Sequence, residues 1–234
     1  MVKVIVVGSG GREHTIAWKL AQSSSVDEVI CVPGNGGTAS ENKCRNIPLK
    51  QDYITDGANP YVEIAKHEGV TFAVIGPEDP LAAGIADAFW NAGIPCVGPK
   101  SAGAQLEASK DLAKEFMAKY NVACPASKTF TDEKSAHDYI DQHGAPIVIK
   151  ADGLAAGKGV VVAATAAQAH DAVKDLMIDG RVGNAGSKLV IEDYLEGVEI
   201  SVLAAVSVTP EYAVQGKATI VPFLPARDHK RLLD

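Results

Sequence analysis

The sequence has few cysteines and no long hydrophobic run, and each shortage excludes a class of protein. Its 234 residues include 4 cysteines, with no C-x-x-C pair and no histidine at zinc spacing. This pattern excludes a disulfide scaffold and indicates the reduced, mostly buried thiols of a cytoplasmic protein. No apolar stretch approaches the ~20 residues that span a bilayer. Residues 1–7 run into glycines too early to form the hydrophobic region of a signal peptide.

Positive charge is also scarce. Lysine and arginine together number 22 against 29 aspartates and glutamates, which gives a net charge of −7. That balance disfavours nucleic acids and anionic membranes as partners, because both attract basic surfaces. A local basic pocket for a phosphorylated small molecule remains compatible with it. The composition, 47% hydrophobic and 22% charged, is otherwise that of a globular protein whose core needs no disulfide or metal.

Strands alternate with helices over residues 1–100, which is typical of βαβ units and predicts an α/β domain with a doubly wound parallel sheet. The predicted strands are 2–7, 28–32, 70–75 and 94–97, and the predicted helices are 13–21, 60–67 and 81–91. One long helix is then predicted over 101–120. Its candidate core positions are Leu106, Leu112, Phe116 and Met117.

The pattern changes after residue 121. Predicted strands lie at 127–130, 146–150, 160–163, 189–194 and 199–206, and predicted helices at 132–142 and 166–178. The glycine-rich segment 151–159 stands between two strands, so we interpret it as a hairpin flap. We expect a first domain over 1–100, a connecting helical segment over 101–125, a second unit over 126–193 and the start of a further one over 194–234.

Residues 8–14, G-S-G-G-R-E-H, join the first strand to the first helix. Glycines there let backbone amides approach an anion, and the helix N-terminus adds partial positive charge. A dinucleotide fingerprint is incomplete, because Glu13 replaces the last glycine and no acidic residue closes a clean second strand. A tight turn whose glycines serve packing alone is the alternative.

Residues 153–159, G-L-A-A-G-K-G, do not form a Walker A loop. The glycine spacing is too short, and Gly159 stands where Ser or Thr would bind magnesium. A mobile loop bearing Lys158, after a strand that ends in Lys150, nevertheless suits a phosphate lid. A flexible solvent loop is the alternative.

Other charged positions carry no function on their own. Lys110 is typical of a solvated helix surface, and Glu192 and Glu199 are typical of strand edges or turns. The charge-dense segment 227–231 is by default a solvated run.

Together these segments resemble the glycinamide ribonucleotide synthetases (phosphoribosylamine–glycine ligases) of the ATP-grasp superfamily. The G-R-E-H at 11–14, P-G-N at 33–35 and D-H-K-R at 228–231 are specific to that family in this order, whereas 153–159 matches the superfamily. The resemblance covers about the N-terminal half of the family. It implies a Rossmann-like domain before the ATP-grasp, an ATP-grasp lid subdomain over 126–193 and a truncated central domain from 194.

The resemblance implies ATP-dependent ligation of glycine to 5-phosphoribosylamine through a glycyl phosphate, in de novo purine synthesis. ATP and Mg²⁺ would be the cofactors, with the Mg²⁺ ligands in the missing C-terminal half. We therefore expect the 234-residue chain to be inactive alone. Its oligomeric state stays open.

The resemblance also assigns residues to roles. Those implied to bind ATP are Lys110 and Lys150 at the phosphates, Gly153, Gly157, Lys158 and Gly159 in the lid, Glu192 and Leu195 at adenine through backbone groups, and Glu199 at the ribose. Those implied to face phosphoribosylamine are Gly10, Gly11, Arg12, Glu13, Gly76, Pro77, Glu78 and Asp228. Those implied to be catalytic are His229, Lys230 and Arg231. Arg227 replaces the family's usual glutamine.

Three alternatives remain open at this point. A sibling ATP-grasp ligase would act on another carboxylate, and a non-catalytic module would only bind a nucleotide or phosphoribosyl group. An NAD-linked dehydrogenase would require a complete dinucleotide fingerprint.

Overall fold

The computed structural model describes residues 1–49, 58–155 and 157–227. Its first half is built on a five-stranded parallel sheet with the strand order β3-β2-β1-β4-β5. The strands are β1 (Lys3–Gly8), β2 (Glu28–Pro33), β3 (Cys44–Asn46), β4 (Phe72–Ile75) and β5 (Cys96–Val97). The helices are α1 (Gly11–Ala21), α2 (Pro60–Glu68), α3 (Glu78–Ala82) and α4 (Ile85–Asn91).

Both faces of this sheet are buried, which explains the unbroken apolar runs of its central strands. Ile5 and Val7 of β1 pack with α2 and α4 on one face, whereas Val4 and Val6 pack with α1 on the other. The predicted doubly wound parallel sheet is thereby confirmed. Because β1 and β4 are parallel, the turns that follow them open toward the same edge of the sheet.

The predicted single helix over 101–120 is wrong. Helix α5 (Ser101–Ala108) ends and α6 (Lys110–Lys119) begins around Ser109, whose backbone is extended. The Ser109 hydroxyl caps α6 by accepting a hydrogen bond from the Leu112 amide at 3.1 Å.

The core expected in this segment is wrong as well. Leu106, Leu112 and Phe116 each remain more than a third exposed, and Met117 is half-buried. Leu106 and Met117 border a cavity instead of packing against a sheet, and Phe116 packs against Tyr120 of the same segment.

The second half contains a four-stranded antiparallel sheet with the strand order β6-β9-β7-β8. Its elements are β6 (Ser127–Phe130), α7 (Glu133–His143), β7 (Ile147–Ala151), β8 (Val160–Ala163), α8 (Ala166–Val173) and β9 (Leu189–Asp193). Helices α7 and α8 cover one face and enclose a core that includes Ile140, Ile149 and Leu176. Since β7 and β8 pair antiparallel, the described residues between them, 152–155 and 157–159, belong to the predicted hairpin flap.

Two predicted elements of the second half are divided. After α8 the chain continues as a π-helical turn (Lys174–Ile178), so the helix expected over 166–178 is only partly α-helical. The strand expected over 199–206 is two strands, β10 (Ile200–Ser201) and β11 (Ala204–Ser207). The remaining elements are α9 (Pro210–Val214), β12 (Thr219–Pro222) and β13 (Ala226–Arg227).

All four cysteines are free thiols. Burial raises the pKa of Cys31 to about 11, so this thiol stays protonated and unreactive at neutral pH. Cys124 is exposed, unlike the mostly buried thiols expected. Within the described residues, no helix is both long and apolar enough to cross a membrane.

Two adjacent aromatic residues of α4 test the core of the first sheet. Phe89 is fully buried between α4 and the sheet, whereas Trp90 is 46% exposed. We expect Phe89→Ala to lower the free energy of unfolding by about 3–5 kcal/mol, because it leaves a cavity. Trp90→Ala should cost much less, as measured by urea denaturation of both variants. Equal losses would contradict this packing.

Candidate functional site

The two glycine turns of the first sheet lie side by side. Strands β1 and β4 are parallel neighbours, so Gly8 at the end of one and Gly76 after the other meet at the same sheet edge. Ligands of open α/β sheets bind at such carboxyl ends. The two glycine turns therefore border one crevice.

Glu13 fills the glycine cradle with its own carboxylate. It projects from the first turn of α1, is 5% exposed, and its Oε2 accepts a hydrogen bond from the Gly10 amide at 2.7 Å. A Cβ at Gly8, Gly10 or Gly76 would collide with this side chain. The anion at this helix N-terminus is therefore a carboxylate of the protein, which explains why glycine is absent at position 13.

Arg12 connects the two turns. Its Nε donates to Glu13 Oε1 at 2.9 Å and its terminal nitrogen donates to Glu78 Oε2 at 3.2 Å. Hydrogen bonds from its own backbone amide and from Arg12 lower the pKa of Glu78. A cavity of about 380 Å³ opens here, and its wall contains Arg12, Gly76, Glu78, Leu81, Pro99, Ala104 and Glu107. One guanidinium and two carboxylates, those of Glu78 and Glu107, thus border a single small space.

A larger cavity of about 590 Å³ lies between α6, the second sheet and the flap. Glu78 and Glu107 belong to the walls of both cavities, so the two spaces adjoin. The remaining wall residues are Leu106, Lys110, Ala113, Lys114, Met117, Ala123, Cys124, Pro125, Lys150, Leu154, Ala155, Gly157, Gly159, Val160, Val190 and Glu192. Its mixture of apolar surface and three lysines suits a ligand with a flat apolar part and an anionic part.

Glu192 organises the basic side of this cavity. It is 4% exposed and forms ion pairs with Lys150, from the neighbouring strand β7, and with Lys114 of α6 at 2.6 Å. Desolvation opposes ionisation, but hydrogen bonds from Lys114 and Lys150 outweigh it and lower the pKa of Glu192. Ionised Glu192 therefore stabilises the fold above its unfolded pKa. This contribution is lost as the pH falls through the lowered folded pKa.

No carboxylate of the described residues forms an ion pair with the Lys110 ammonium, which hydrogen-bonds to a backbone carbonyl instead. Its Nζ donates to the Gly153 carbonyl at 3.2 Å, at the base of the flap. Burial lowers the pKa of Lys110, and repulsion from Lys150 lowers it further. Attraction to Asp152 and Glu107 raises the pKa but does not cancel these effects. An anion bound in the cavity would relieve both unfavourable effects.

Asp152 ties the flap to the helix that carries Lys110. Its carboxylate accepts hydrogen bonds from the Asp111 amide at 2.8 Å and the Ser109 hydroxyl at 3.2 Å. Lys188 pairs with the same carboxylate at 3.4 Å. The flap base therefore fixes the start of α6.

Sequence reasoning missed Asp152 and Lys114. The spacing of Lys110 and Lys114 by four residues, one turn of helix, was the available signal for Lys114. Nothing in the local sequence indicated that Asp152 would cap a helix 41 residues earlier.

The structure brings some expected site residues together and leaves others apart. Those in the two cavity walls are Lys110, Lys150, Gly157, Gly159, Glu192, Arg12, Gly76 and Glu78. Those near but outside the walls are Gly10, Gly11, Glu13, Pro77 and Gly153, whereas Lys158, Leu195 and Glu199 are exposed and outside them. Those outside the described residues are Asp228, His229, Lys230 and Arg231.

No group of three or more His, Cys, Asp or Glu residues suitable for a metal ion occurs within 1–49, 58–155 and 157–227.

Residues 108–234 match the profile of an ATP-grasp domain, and solved structures of low sequence identity share the fold of this chain. N5-carboxyaminoimidazole ribonucleotide synthetase from Thermus thermophilus matches with a TM-score of 0.67 at 14% identity, over 97% of this chain and 55% of that one. Biotin carboxylase from Campylobacter jejuni matches with a TM-score of 0.65 at 13% identity, over 95% and 50%. At these identities the likeness establishes the fold alone.

The chain belongs to the phosphoribosylglycinamide synthetase family. Family profiles for the synthetase N domain and for its ATP-grasp (A) domain match residues 2–107 and 108–234. The phosphoribosylamine–glycine ligase of Neisseria meningitidis serogroup B is 51% identical over 100% of this chain and 52% of that protein. The Clostridium acetobutylicum ligase is 44% identical over 100% and 52%.

A solved structure of a family member agrees. The phosphoribosylamine–glycine ligase of Thermotoga maritima matches with a TM-score of 0.70 at 27% identity, over 98% of this chain and 51% of that one. The chain thus spans about half the length of the relatives it matches.

Two glycines of the first crevice differ in the space around them, because Gly76 is closely packed and Gly11 is not. We expect Gly76→Ala to lower the free energy of unfolding by about 1–3 kcal/mol, because its methyl group would displace the Glu13 carboxylate. Gly11→Ala is the control, since a Cβ there meets nothing within 4 Å. Urea denaturation measures both variants. A larger loss for Gly11→Ala would contradict the position of Glu13.

Proposed function

We propose that this chain forms the nucleotide-binding and amine-binding walls of an ATP-dependent ligase that joins glycine to 5-phosphoribosylamine. The observation that carries the proposal is the pair of adjoining cavities, one basic and beneath a glycine flap, the other at the switch between β1 and β4. Family membership supports the choice of substrates.

The reaction transfers two groups in sequence. A carboxylate oxygen of glycine attacks the γ-phosphorus of ATP, the bond from that phosphorus to the β–γ bridging oxygen breaks, and ADP leaves. The amine nitrogen of phosphoribosylamine then attacks the acyl carbon. The bond from that carbon to the phosphate oxygen breaks, inorganic phosphate leaves, and the nitrogen loses a proton. Glycinamide ribonucleotide remains.

Negative charge moves along the phosphates in this reaction, so catalysis depends on positively charged groups placed in advance. We assign that task to Lys110 and Lys150, whose ammonium groups border the larger cavity. The desolvated state of Lys110 supports the assignment, because its lowered pKa reflects a charge that is poorly compensated without an anion.

The flap would cover the phosphates and exclude water from the reactive anhydride. Its assigned residues are Gly153, Gly157, Lys158 and Gly159. Glu192 and Leu195 would meet adenine through backbone groups, and Glu199 would hold the ribose hydroxyls. The end of β9 supports this, since it borders the same cavity at Glu192.

Phosphoribosylamine would lie in the smaller crevice. The exposed guanidinium of Arg12 suits its phosphate, and the carboxylates of Glu13 and Glu78 suit its amine or hydroxyl groups. Gly10, Gly11, Gly76 and Pro77 would leave room for it. We also keep Asp228 as a substrate contact, and His229, Lys230 and Arg231 as groups beside the transferring phosphate.

Several further assignments belong to the same proposal. Mg²⁺ would accompany ATP, with its ligands in the part of the relatives that this chain does not cover. The enzyme would work in the cytoplasm on small molecules, without nucleic acid or membrane. The chain would divide into units at 1–100, 101–125, 126–193 and 194–234.

A lysine substitution tests the phosphate-binding role. In a polypeptide of the relatives' full length that contains this chain, Lys150→Ala should lower kcat about 100- to 1000-fold, because one charge contact to the transferring phosphoryl group is lost. Lys134→Ala, on the exposed surface of α7, is the matched control and should leave kcat unchanged. The assay follows ADP release with glycine and freshly generated phosphoribosylamine. An unaffected Lys150→Ala enzyme would remove Lys150 from the site.

The chain by itself should bind ATP weakly and release no ADP in response to glycine. The reason is that the proposal places the Mg²⁺ ligands outside it, and Mg²⁺ bridges the phosphates in this chemistry. The measurement compares ADP release by this chain and by the longer polypeptide. Comparable turnover would show that the chain already holds all the catalytic groups. Inactivity of the longer polypeptide with glycine would overturn the ligase proposal.

A further inference from the structure

Two lysines from different elements share one buried carboxylate. Lys150 comes from β7 and Lys114 from α6, and both pair with Glu192, which is 4% exposed. The Lys114 side chain is 14% exposed, and its Nζ also donates to the Pro125 carbonyl at 2.9 Å. Lys114 is therefore held from two sides, whereas its partner Lys150 is more exposed, at 29%.

The proposed function creates a conflict for Lys150. If Lys150 moves to the phosphates of a nucleotide, it loosens its pairing with Glu192. Leaving a buried carboxylate without a partner is strongly unfavourable. Nucleotide binding would then leave the buried Glu192 carboxylate unpaired, which is unfavourable, unless a second cation remained beside it.

Lys114 is the cation that can remain beside Glu192 when Lys150 moves away. Other lysines around the cavity have different partners, since Lys110 donates to Gly153 and Lys188 pairs with Asp111 and Asp152. Among the described residues, the ion pairs of Glu192 are those with Lys114 and Lys150. Because Lys114 lies on α6, movement of the Lys150 side chain from β7 does not require it to move.

We propose that Lys114 is a positioning residue that holds the Glu192 carboxylate and thereby frees Lys150 to bind the nucleotide phosphates. This inference rests on the proposed function. Without Lys114, Lys150 is the one ionic partner that Glu192 retains among the described residues. Nucleotide affinity then falls even though no nucleotide contact has been removed.

A double-mutant cycle in a polypeptide of the relatives' full length that contains this chain tests the proposal. Isothermal titration calorimetry measures the Kd for ATP in that polypeptide, in Lys114→Met, in Glu192→Gln and in the double variant. Lys114→Met should weaken ATP binding about tenfold or more, because a charged hydrogen bond to a buried group is lost. In the Glu192→Gln background the same substitution should change Kd little, because no anion needs a second partner.

Two further measurements distinguish a positioning role of Lys114 from a general loss of folded structure. Lys114→Arg should restore ATP affinity, since its guanidinium can still pair with Glu192. The pKa of the Glu192 carboxyl, followed by ¹³C NMR without nucleotide, should rise in Lys114→Met and stay low in Lys114→Arg. Thermal unfolding of each variant confirms that it is folded.

The outcomes are distinct. Equal losses of affinity in both backgrounds would mean that Lys114 contacts the nucleotide itself or only supports the fold, and would overturn the inference alone. An unchanged Glu192 pKa in Lys114→Met would also overturn it. A full-length polypeptide that binds no ATP would overturn the proposed function and this inference with it.

Discussion

The pairing of buried carboxylates with basic side chains governs both parts of the site. Within the described residues, the two acidic side chains that are buried are Glu13 at 5% and Glu192 at 4% exposure, one beside each cavity. A buried carboxylate must be paired or hydrogen-bonded, so each draws particular donors toward itself. Glu13 holds Arg12 and the Gly10 amide, and Glu192 holds two lysines. These carboxylates position the cationic groups that face the ligand spaces.

The same constraint links the two halves of the chain. Glu78 and Glu107 stand in the walls of both cavities, between a crevice at the first sheet and a basic pocket at the second. The flap base at Asp152 fixes the start of α6 through Ser109 and the Asp111 amide. A ligand that closes the flap therefore acts on the helix that bears Lys110 and Lys114. In the proposed function, these few hydrogen bonds would couple phosphate recognition to the placement of the lysines.

Sequence patterns predicted the features that depend on local order. The β-branched runs predicted the central strands, because strands buried on both faces need continuous apolar residues. The position of 151–159 between two strands predicted a hairpin flap. The synthetase motifs predicted the family, and the family profiles confirm it.

Features that depend on distant partners were not predictable in this way. Asp152, which is far away in the sequence, hydrogen-bonds to Ser109 and Asp111 at the break between α5 and α6, whereas helical periodicity alone indicated one continuous helix. The apolar residues of that segment were expected in a core, but Leu106 faces a cavity. The sequence around Lys114 is typical of an exposed helix lysine, and its partner Glu192 lies on β9, 78 residues later.

In the proposed function, nucleotide phosphates take the place of Glu192 at Lys150, beneath the glycine flap. A crystal structure of this chain with a non-hydrolysable ATP analogue tests it most directly. We expect phosphate oxygens within hydrogen-bond distance of Lys110 and Lys150, with Gly157 and Gly159 covering the phosphates. Lys114 should remain paired with Glu192. Phosphates bound instead at the Gly8–Gly10 turn, with Lys150 still paired to Glu192, would contradict it.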